Sequence, residues 1–201
     1  MVALRGLTIL PKMVMHFDIT RPRSVAAVEK AMVGDQKVFL VTQKHPEVVE
    51  PDLNDLFQVG TVAVVKQLVK LPGKVVRVLV EGLERGELLT FDSEEPALIG
   101  QVGFMGAEDE DLDALTQEAM LRIVKDKLES YGQENIKFSK EILPGLRMIQ
   151  ELSELLDQIA IQLPWDYTVR QGVLESGSLE ARYEVILRLS LIHISEPTRL
   201  A

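Results

Sequence analysis

Residues 60–82 read Gly60-Thr-Val-Ala-Val-Val-Lys-Gln-Leu-Val-Lys-Leu-Pro-Gly-Lys-Val-Val-Arg-Val-Leu-Val-Glu-Gly82. Runs of Val and Leu lie on both sides of Pro72-Gly73. This dipeptide suits the centre of a turn, because Pro fixes φ and Gly tolerates a positive φ. On the return strand, valines alternate with other residues from Val76 to Glu81, and only Leu79 is out of pattern. The stretch therefore predicts an antiparallel β-hairpin with one buried face.

Composition limits the class of protein. The chain has 201 residues, of which 46% are hydrophobic, and this is enough to form a buried core. It contains no cysteine, which excludes a disulfide framework and a thiolate metal site. We find neither a signal peptide nor an apolar run of about 20 residues that could span a bilayer. These features predict a cytoplasmic protein that does not enter the membrane.

The charge is distributed unevenly between the two halves of the chain. Residues 1–106 carry 12 Lys and Arg against 13 Asp and Glu, whereas residues 107–201 carry 10 against 18. Affinity for nucleic acid depends largely on clustered Lys and Arg. The acidic second half therefore argues against nucleic acids and anionic membranes as partners.

The first half reads as short strands bounded by Gly and Pro, a pattern that favours a closed or strongly curved sheet. One helix interrupts the strands, with Pro22 in its first turn and Gly34 at its end. The predicted strands are Leu4–Leu10, Met13–Ile19, Lys37–Thr42, Thr61–Lys70 and Val75–Leu89.

From Asp111 the hydrophobic period becomes that of an α-helix and predicts a helical bundle. A last helix is expected to begin after the N-cap Ser178. Beyond Leu189, the sequence carries Pro197 and no helical pattern, and it resembles read-through of a cloning adapter. Two apolar stripes are predicted: Leu112, Leu115, Ala119 and Ile123, then Ile149, Leu152, Leu156, Ile159 and Leu163.

The fold class predicted from both halves is α+β. We expect a subdomain with a closed or strongly curved β-sheet over residues 1–106, a helical bundle over 107–189, and a non-native tail over 190–201.

No motif for catalysis or cofactor binding is found. Gly73-Lys74 lacks the upstream glycine and the following Ser or Thr of a phosphate-binding loop. The acidic run Asp109–Asp113 lacks the glycine and glutamate that a calcium loop needs, and a solvated first helical turn explains it better. We therefore predict no catalytic, metal-binding or cofactor-binding residue in this chain.

Apolar side chains are the remaining candidates for a binding surface, although most such residues belong to a core. Candidate contacts with polypeptide are Met13, Met15, Phe17, Leu71, Pro72, Gly73, Phe104 and Met105.

The order of several short motifs along the chain resembles the amino-terminal domain of Lon-type ATP-dependent proteases. These motifs include Gly60-Thr-Val-Ala63, Lys70-Leu-Pro-Gly73 and Arg77-Val-Leu-Val-Glu-Gly82, then Leu179-Glu-Ala-Arg182. The resemblance implies a PUA-like β-barrel subdomain over residues 1–106, followed over 107–189 by a helical bundle that leads into a connecting helix. It further implies recognition of unfolded or misfolded polypeptides and self-association, as a hexamer in the parent protease.

In this family the ATPase and Ser-Lys peptidase parts follow in the same chain. We therefore expect ATP and Mg only in parts of the parent outside these residues, and no enzyme activity from this chain itself. A stand-alone polypeptide-binding protein of the same PUA-like fold is the alternative. RNA binding is a third hypothesis, which the acidic charge disfavours.

Overall fold

The computed structural model describes residues 1–105 and 112–195, with side chains described as far as residue 189. The chain divides into two compact units, which are described separately below. The first comprises Met1–Gly106 and Asp166–Glu175, and the second comprises Ala107–Trp165 and Ser176–Ala201. Within the described residues, a mixed six-stranded sheet together with seven α-helices confirms the α+β class.

The sheet of the first unit has the strand order β1-β3-β4-β5-β2, and β6 pairs with β5. All pairs are antiparallel except β1 with β3. The strands are β1 (Val2–Leu4), β2 (Val14–Ile19), β3 (Lys37–Thr42), β4 (Val59–Leu71), β5 (Val75–Ser93) and β6 (Ile99–Phe104).

The predicted hairpin consists of β4 and β5. Leu71 pairs with Val75 across the three-residue turn, and both Gly73 and Lys74 have positive φ. Val76, Val78 and Val80 are buried, whereas Arg77 is exposed. The alternation read from the sequence is therefore the alternation between the core and solvent.

One strand prediction was wrong, and one strand was not predicted. A strand over Leu4–Leu10 does not form, because β1 ends at Leu4 and Gly6 turns the chain with a φ of 60°. Strand β6 was not predicted, because its sequence contains two glycines and alternates weakly.

Two helices complete the first unit. Helix α1 (Pro22–Val33) begins with a proline in its first turn and ends at Gly34, as predicted. Helix α6 (Tyr167–Glu175) comes from much later in the chain and is held by the buried amide of Gln171, which donates to Val59 O at 2.9 Å.

The second unit is helical. Its helices are α2 (Ala114–Glu134), α3 (Ile136–Glu141), α4 (Leu143–Met148), α5 (Leu152–Gln162) and α7 (Leu179–Ser195). Four of the five residues predicted for the second stripe are buried, namely Leu152, Leu156, Ile159 and Leu163, whereas Ile149 is half-buried and precedes α5. Trp165 is buried as well, in agreement with a packing role.

The stripe predicted for α2 was wrong. Leu115 is 77% exposed and Ile123 is also exposed, whereas Val124 and Leu128 are buried. Both sets have helical spacing, so periodicity alone could not choose between them.

The side chain of Asp113 caps α2 by accepting from the Thr116 N–H. The remainder of the predicted acidic run, Asp109–Asp111, lies outside the described residues.

Helix α7 begins where it was predicted, with Ser178 Oγ accepting from Ala181 N–H. It continues as a helix to Ser195, so the expectation that the helical pattern stops at Ser190 was wrong. Residues 196–201 of the predicted tail lie outside the described residues. The structure contains no helix, among those described, that is long and apolar enough to cross a bilayer.

Candidate functional site

A cavity of about 580 Å³ lies in the first unit beside the last third of β5, and we call it the β5 groove. Its walls are the segment 53–59 and strand residues 88–91. This shape arises because β4 begins at Val59, which pairs with Glu87, whereas β5 extends six residues beyond Glu87. The apolar lining residues are Leu53, Leu56, Phe57, Val59, Leu88, Leu89 and Phe91.

One backbone edge of β5 lies open at this groove. Leu88 donates its N–H to Gln58 O at 2.9 Å, and among the described residues no strand continues the pairing on this edge beyond it. The opposite edge pairs with β6 as far as Ser93, with irregular register at Leu88/Thr90 and Phe91/Ser93. An unpaired strand edge can accept a further extended chain.

Rigid neighbours hold the walls of the groove. Leu56 and Leu88 belong to a buried cluster, and Phe57 and Phe91 pack against it. A short 3₁₀ turn over Leu53–Asp55 starts with a capping box formed by Asp52 and Asp55.

The polar rim carries charges of both signs. Lys44 Nζ donates to Asn54 O at 2.9 Å, and Glu175 Oε1 accepts from the Gln171 amide at 3.1 Å. At the apolar surface, Leu89 is 62% exposed. An exposed apolar surface of this kind is typical of a binding site. The described residues include no group of three or more His, Asp or Glu side chains that could hold a metal ion.

The residues predicted from the sequence lie outside this groove. Met13 is buried in the core and precedes β2. Met15 and Phe17 are half-buried on β2, opposite Val80 and Val78 of β5. Phe17 also lines a second cavity, of about 500 Å³.

The other predicted residues lie at strand ends. Leu71 is half-buried, whereas Pro72 and Gly73 are exposed at the turn between β4 and β5. Phe104 is 65% exposed at the end of β6, and Met105 beside it is half-buried. The structure brings Met15 and Phe17 together on one strand. A role for any of these residues in polypeptide contact stays a prediction.

Sequence reasoning missed the groove residues. The doublet Leu88-Leu89 breaks strand alternation, and it coincides with the irregular register of β5. That doublet was the available signal, but it does not reveal that β4 starts too late to cover this edge.

Comparison with known proteins gives close agreement over most of the chain. Residues 1–190 match the family model of the ATP-dependent protease La (LON) substrate-binding domain. The Lon protease of Lachnoclostridium phytofermentans is 40% identical over 195 residues, which are 97% of this chain and 24% of that protein. The Lon protease of Clostridioides difficile is 37% identical over 200 residues, or 96% of this chain and 25% of that protein. The chain thus spans about a quarter of the length of these relatives.

Solved structures show the same fold. The N-terminal domain of a Mycobacterium avium complex Lon protease superposes with a TM-score of 0.75 at 18% identity, covering 96% of this chain and 97% of the other. A Lon N-terminal domain protein from Xanthomonas campestris gives 0.62 at 13% identity, with coverages of 92% and 94%. The match over residues 1–190 shows that this chain belongs to the family of Lon substrate-binding domains.

Proposed function

We propose that this chain recognises unfolded polypeptide through the β5 groove, as the substrate-recognition part of an ATP-dependent Lon protease. The observation that carries the proposal is the open edge of β5 beside exposed apolar side chains. Unfolded proteins differ from folded ones in exposing both backbone hydrogen-bonding groups and apolar side chains. The open edge of β5 can form hydrogen bonds with the exposed backbone, and the apolar lining of the groove can contact the exposed side chains.

The binding mode that fits is strand addition along residues 89–93. An incoming extended segment would bond to the β5 backbone, and its alternate side chains would lie against Leu89 and Leu53. Main-chain hydrogen bonds do not depend on sequence. This mode therefore tolerates varied substrates, as protein quality control requires.

Replacing the exposed leucines tests the proposal. We expect Leu53→Ser with Leu89→Ser to weaken binding of reduced, carboxymethylated lactalbumin at least about tenfold, because apolar contact is lost on the binding side. Binding is measured by fluorescence anisotropy, and urea unfolding checks that the variant stays folded. The matched control is Val33→Ser, since Val33 is 91% exposed at the end of α1 and does not line the groove. Equal affinities for the double variant and the control would refute the groove as the site.

We also propose that the second unit contributes to self-association in the parent protease, as a hexamer. Leu115 and Ile123 support this, because they form an exposed apolar stripe on α2. Leu115→Ser with Ile123→Ser is expected to lower the fraction of oligomer in sedimentation velocity of a full-length Lon. Unchanged sedimentation would contradict this role.

The parent context is a proposal as well. We place ATP and Mg binding and peptide hydrolysis in other parts of the parent, and we place its work in the cytoplasm. We keep the division into subdomains at 1–106 and 107–189 and the non-native origin of 190–201 as proposals. The coding sequence past Leu189 tests the arrangement, because an in-frame phosphate-binding loop supports the protease. A natural stop codon near residue 201 favours the stand-alone binding protein instead.

A further inference from the structure

The cavity that contains Phe17 differs in chemistry from the β5 groove, and we call it the α1 cavity. It has a volume of about 500 Å³ and lies where β2 ends and α1 begins. One part of its wall is apolar, formed by Leu4, Leu7, Phe17, Ile19 and Val49. The other part carries Arg5, Arg21 and Ser24.

The two arginines contribute positive charge, and neither forms a direct ion pair with a carboxylate of the described residues. Arg21 donates to Gln43 Oε1 at 2.5 Å and Ala3 O at 3.4 Å, and Arg5 donates to Val48 O at 3.4 Å. All of these acceptors are neutral. Among the described residues neither guanidinium lies within ion-pair distance of an acidic group.

The two carboxylates of the cavity wall are engaged elsewhere. Asp18 pairs with Arg77 at 2.7 Å, and Glu50 pairs with Arg23 at 3.1 Å. Burial lowers the pKa of Arg21 and the positive charge of Arg5 lowers it further, whereas the negative charge of Glu50 raises it. An anion in the cavity would relieve this repulsion between the two guanidinium groups.

The start of α1 adds hydrogen-bond donors. Arg21 is the N-cap residue, its side chain makes no capping bond, and the first turn contains no acidic residue. Pro22 has no N–H, so the donors at this helix start are the N–H groups that follow it, and these favour negative charge. Ser24 lines the cavity and is only 4% exposed, and within the described part of the chain its hydroxyl has no hydrogen-bond partner. This hydroxyl can therefore donate a hydrogen bond to a ligand in the cavity.

We infer that the α1 cavity binds the carboxyl terminus of a polypeptide whose last side chain is apolar. Only at the end of a chain do a carboxylate and an apolar side chain leave the same Cα, and both are needed to match this wall. An Asp or Glu side chain carries its carboxylate in place of the apolar group, and a phosphate has no apolar part. The inference rests on the proposed recognition of polypeptides, but it concerns a separate cavity.

Three labelled peptides test the inference by fluorescence anisotropy with the 201-residue chain. All are ten-residue Gly/Ser peptides. The first ends in Leu with a free carboxylate, the second is its C-terminal amide, and the third has an internal Asp-Leu and an amidated end. We expect the free acid to bind about tenfold more tightly than either of the others, because charge-assisted hydrogen bonds are lost without the terminal carboxylate.

The variant Arg5→Gln should remove most of this preference. Arg5 is exposed and makes one long hydrogen bond, so its loss should leave the fold intact. The matched control is Arg122→Gln, which removes the same charge from an exposed position on α2. Equal binding of acid and amide, or equal effects of the two variants, would overturn the inference.

Competition with inorganic phosphate separates a peptide site from a general anion site. If phosphate displaces the free-acid peptide as well as excess unlabelled peptide does, the assignment to a chain end is overturned. The Leu53/Leu89 test does not involve this cavity. If the unsubstituted chain shows no preference for the free acid while Leu53→Ser/Leu89→Ser weakens lactalbumin binding as expected, only the present inference is refuted. If the preference is present and the double variant binds lactalbumin as the control does, only the β5 groove is refuted.

Discussion

The guanidinium of Arg182 on α7 lies 3.1 Å from a carboxylate oxygen of Asp157 on α5, and both side chains are buried in the second unit. Removing one partner of a buried ion pair leaves the other charge desolvated and uncompensated. The pair therefore stabilises the contact between α5 and α7 only while both charged side chains are present.

Asp157→Leu should lower the free energy of unfolding by about 3–5 kcal/mol. The double variant Asp157→Leu/Arg182→Met should recover most of that loss, because it leaves no buried charge. Urea unfolding followed by circular dichroism gives both values. Glu129→Gln, which removes the exposed partner of Arg147, is the control and should shift the midpoint little. A double variant as unstable as Asp157→Leu would show that the pair's geometry, and not charge compensation, determines the stability.

The hairpin sequence 60–82 ends at Gly82, and the backbone of Leu10 packs closely against this residue. A Cβ atom at Gly82 would lie 2.2 Å from the carbonyl oxygen of Leu10, which belongs to the backbone and cannot move aside readily. We expect Gly82→Ala to destabilise the protein by about 1–3 kcal/mol.

A glycine with open space around it provides the control for Gly82→Ala. Gly145 lies within α4, and a Cβ there would meet nothing within 4 Å. Gly145→Ala should be neutral or stabilise by up to about 1 kcal/mol, since Ala favours the helix. The two melting temperatures should move in opposite directions or differ clearly. Similar small shifts would contradict the close approach at Gly82.

The N-cap of α2 predicts an acid-dependent loss of stability. The backbone N–H of Thr116 donates to Asp113 and lowers the pKa of its carboxyl below the usual 3.8, with a further contribution from the Thr116 hydroxyl. At pH values between the lower pKa of the folded state and the usual 3.8, the Asp113 carboxyl binds more protons in the unfolded chain than in the folded one. The stabilisation is present above pH 3.8 and is lost as the pH falls through the lower pKa of the folded state.

Asp113→Asn keeps a capping oxygen but does not titrate. Melting temperatures between pH 6 and pH 2.5 should therefore fall less steeply for this variant than for the wild type. Glu118→Gln, which changes an exposed carboxylate for which no capping bond is seen, should leave the steepness unchanged. Parallel pH profiles for the wild type and Asp113→Asn would refute the cap as their cause.

The two faces of α2 should respond differently to truncation. Leu128 is buried, and Leu128→Ala should cost about 2–5 kcal/mol through lost burial and a cavity. Leu115→Ala changes an exposed residue and should stay within about 0.5 kcal/mol. Both effects are measured from urea unfolding midpoints. Equal losses of stability in the two variants would mean that Leu115 is buried in solution.

Those parts of the fold that short-range sequence patterns determine could be predicted, whereas those that tertiary packing determines could not. The β4–β5 hairpin was predictable because alternation and the turn residues Pro72-Gly73 act over a few positions. The buried face of α2 was not, since Leu115 and Val124 lie on stripes of equal spacing and only tertiary packing selects one of them.

The candidate sites depend on non-local pairing, which explains why the sequence indicated them poorly. Gln171 fixes α6 against Val59 across 112 residues, and no local pattern reports this contact. Likewise, Arg5 and Arg21 are unremarkable surface cations in the sequence. Their shared cavity exists only once β2 and α1 have packed.

Strand β5 bonds to β4 along most of its length, to β2 near its start and to β6 near its end. If a segment bound as proposed along residues 89–93 were pulled along its own length, the force would act nearly along the axis of this strand. Hydrogen-bond ladders that are loaded in this direction must break together, whereas a force across the strand breaks them one after another. The segment, held by a short stretch of backbone, would slide free before the domain that holds it yields. Under the proposed mode of binding, this domain would hold a polypeptide under traction and would stay folded when the polypeptide leaves.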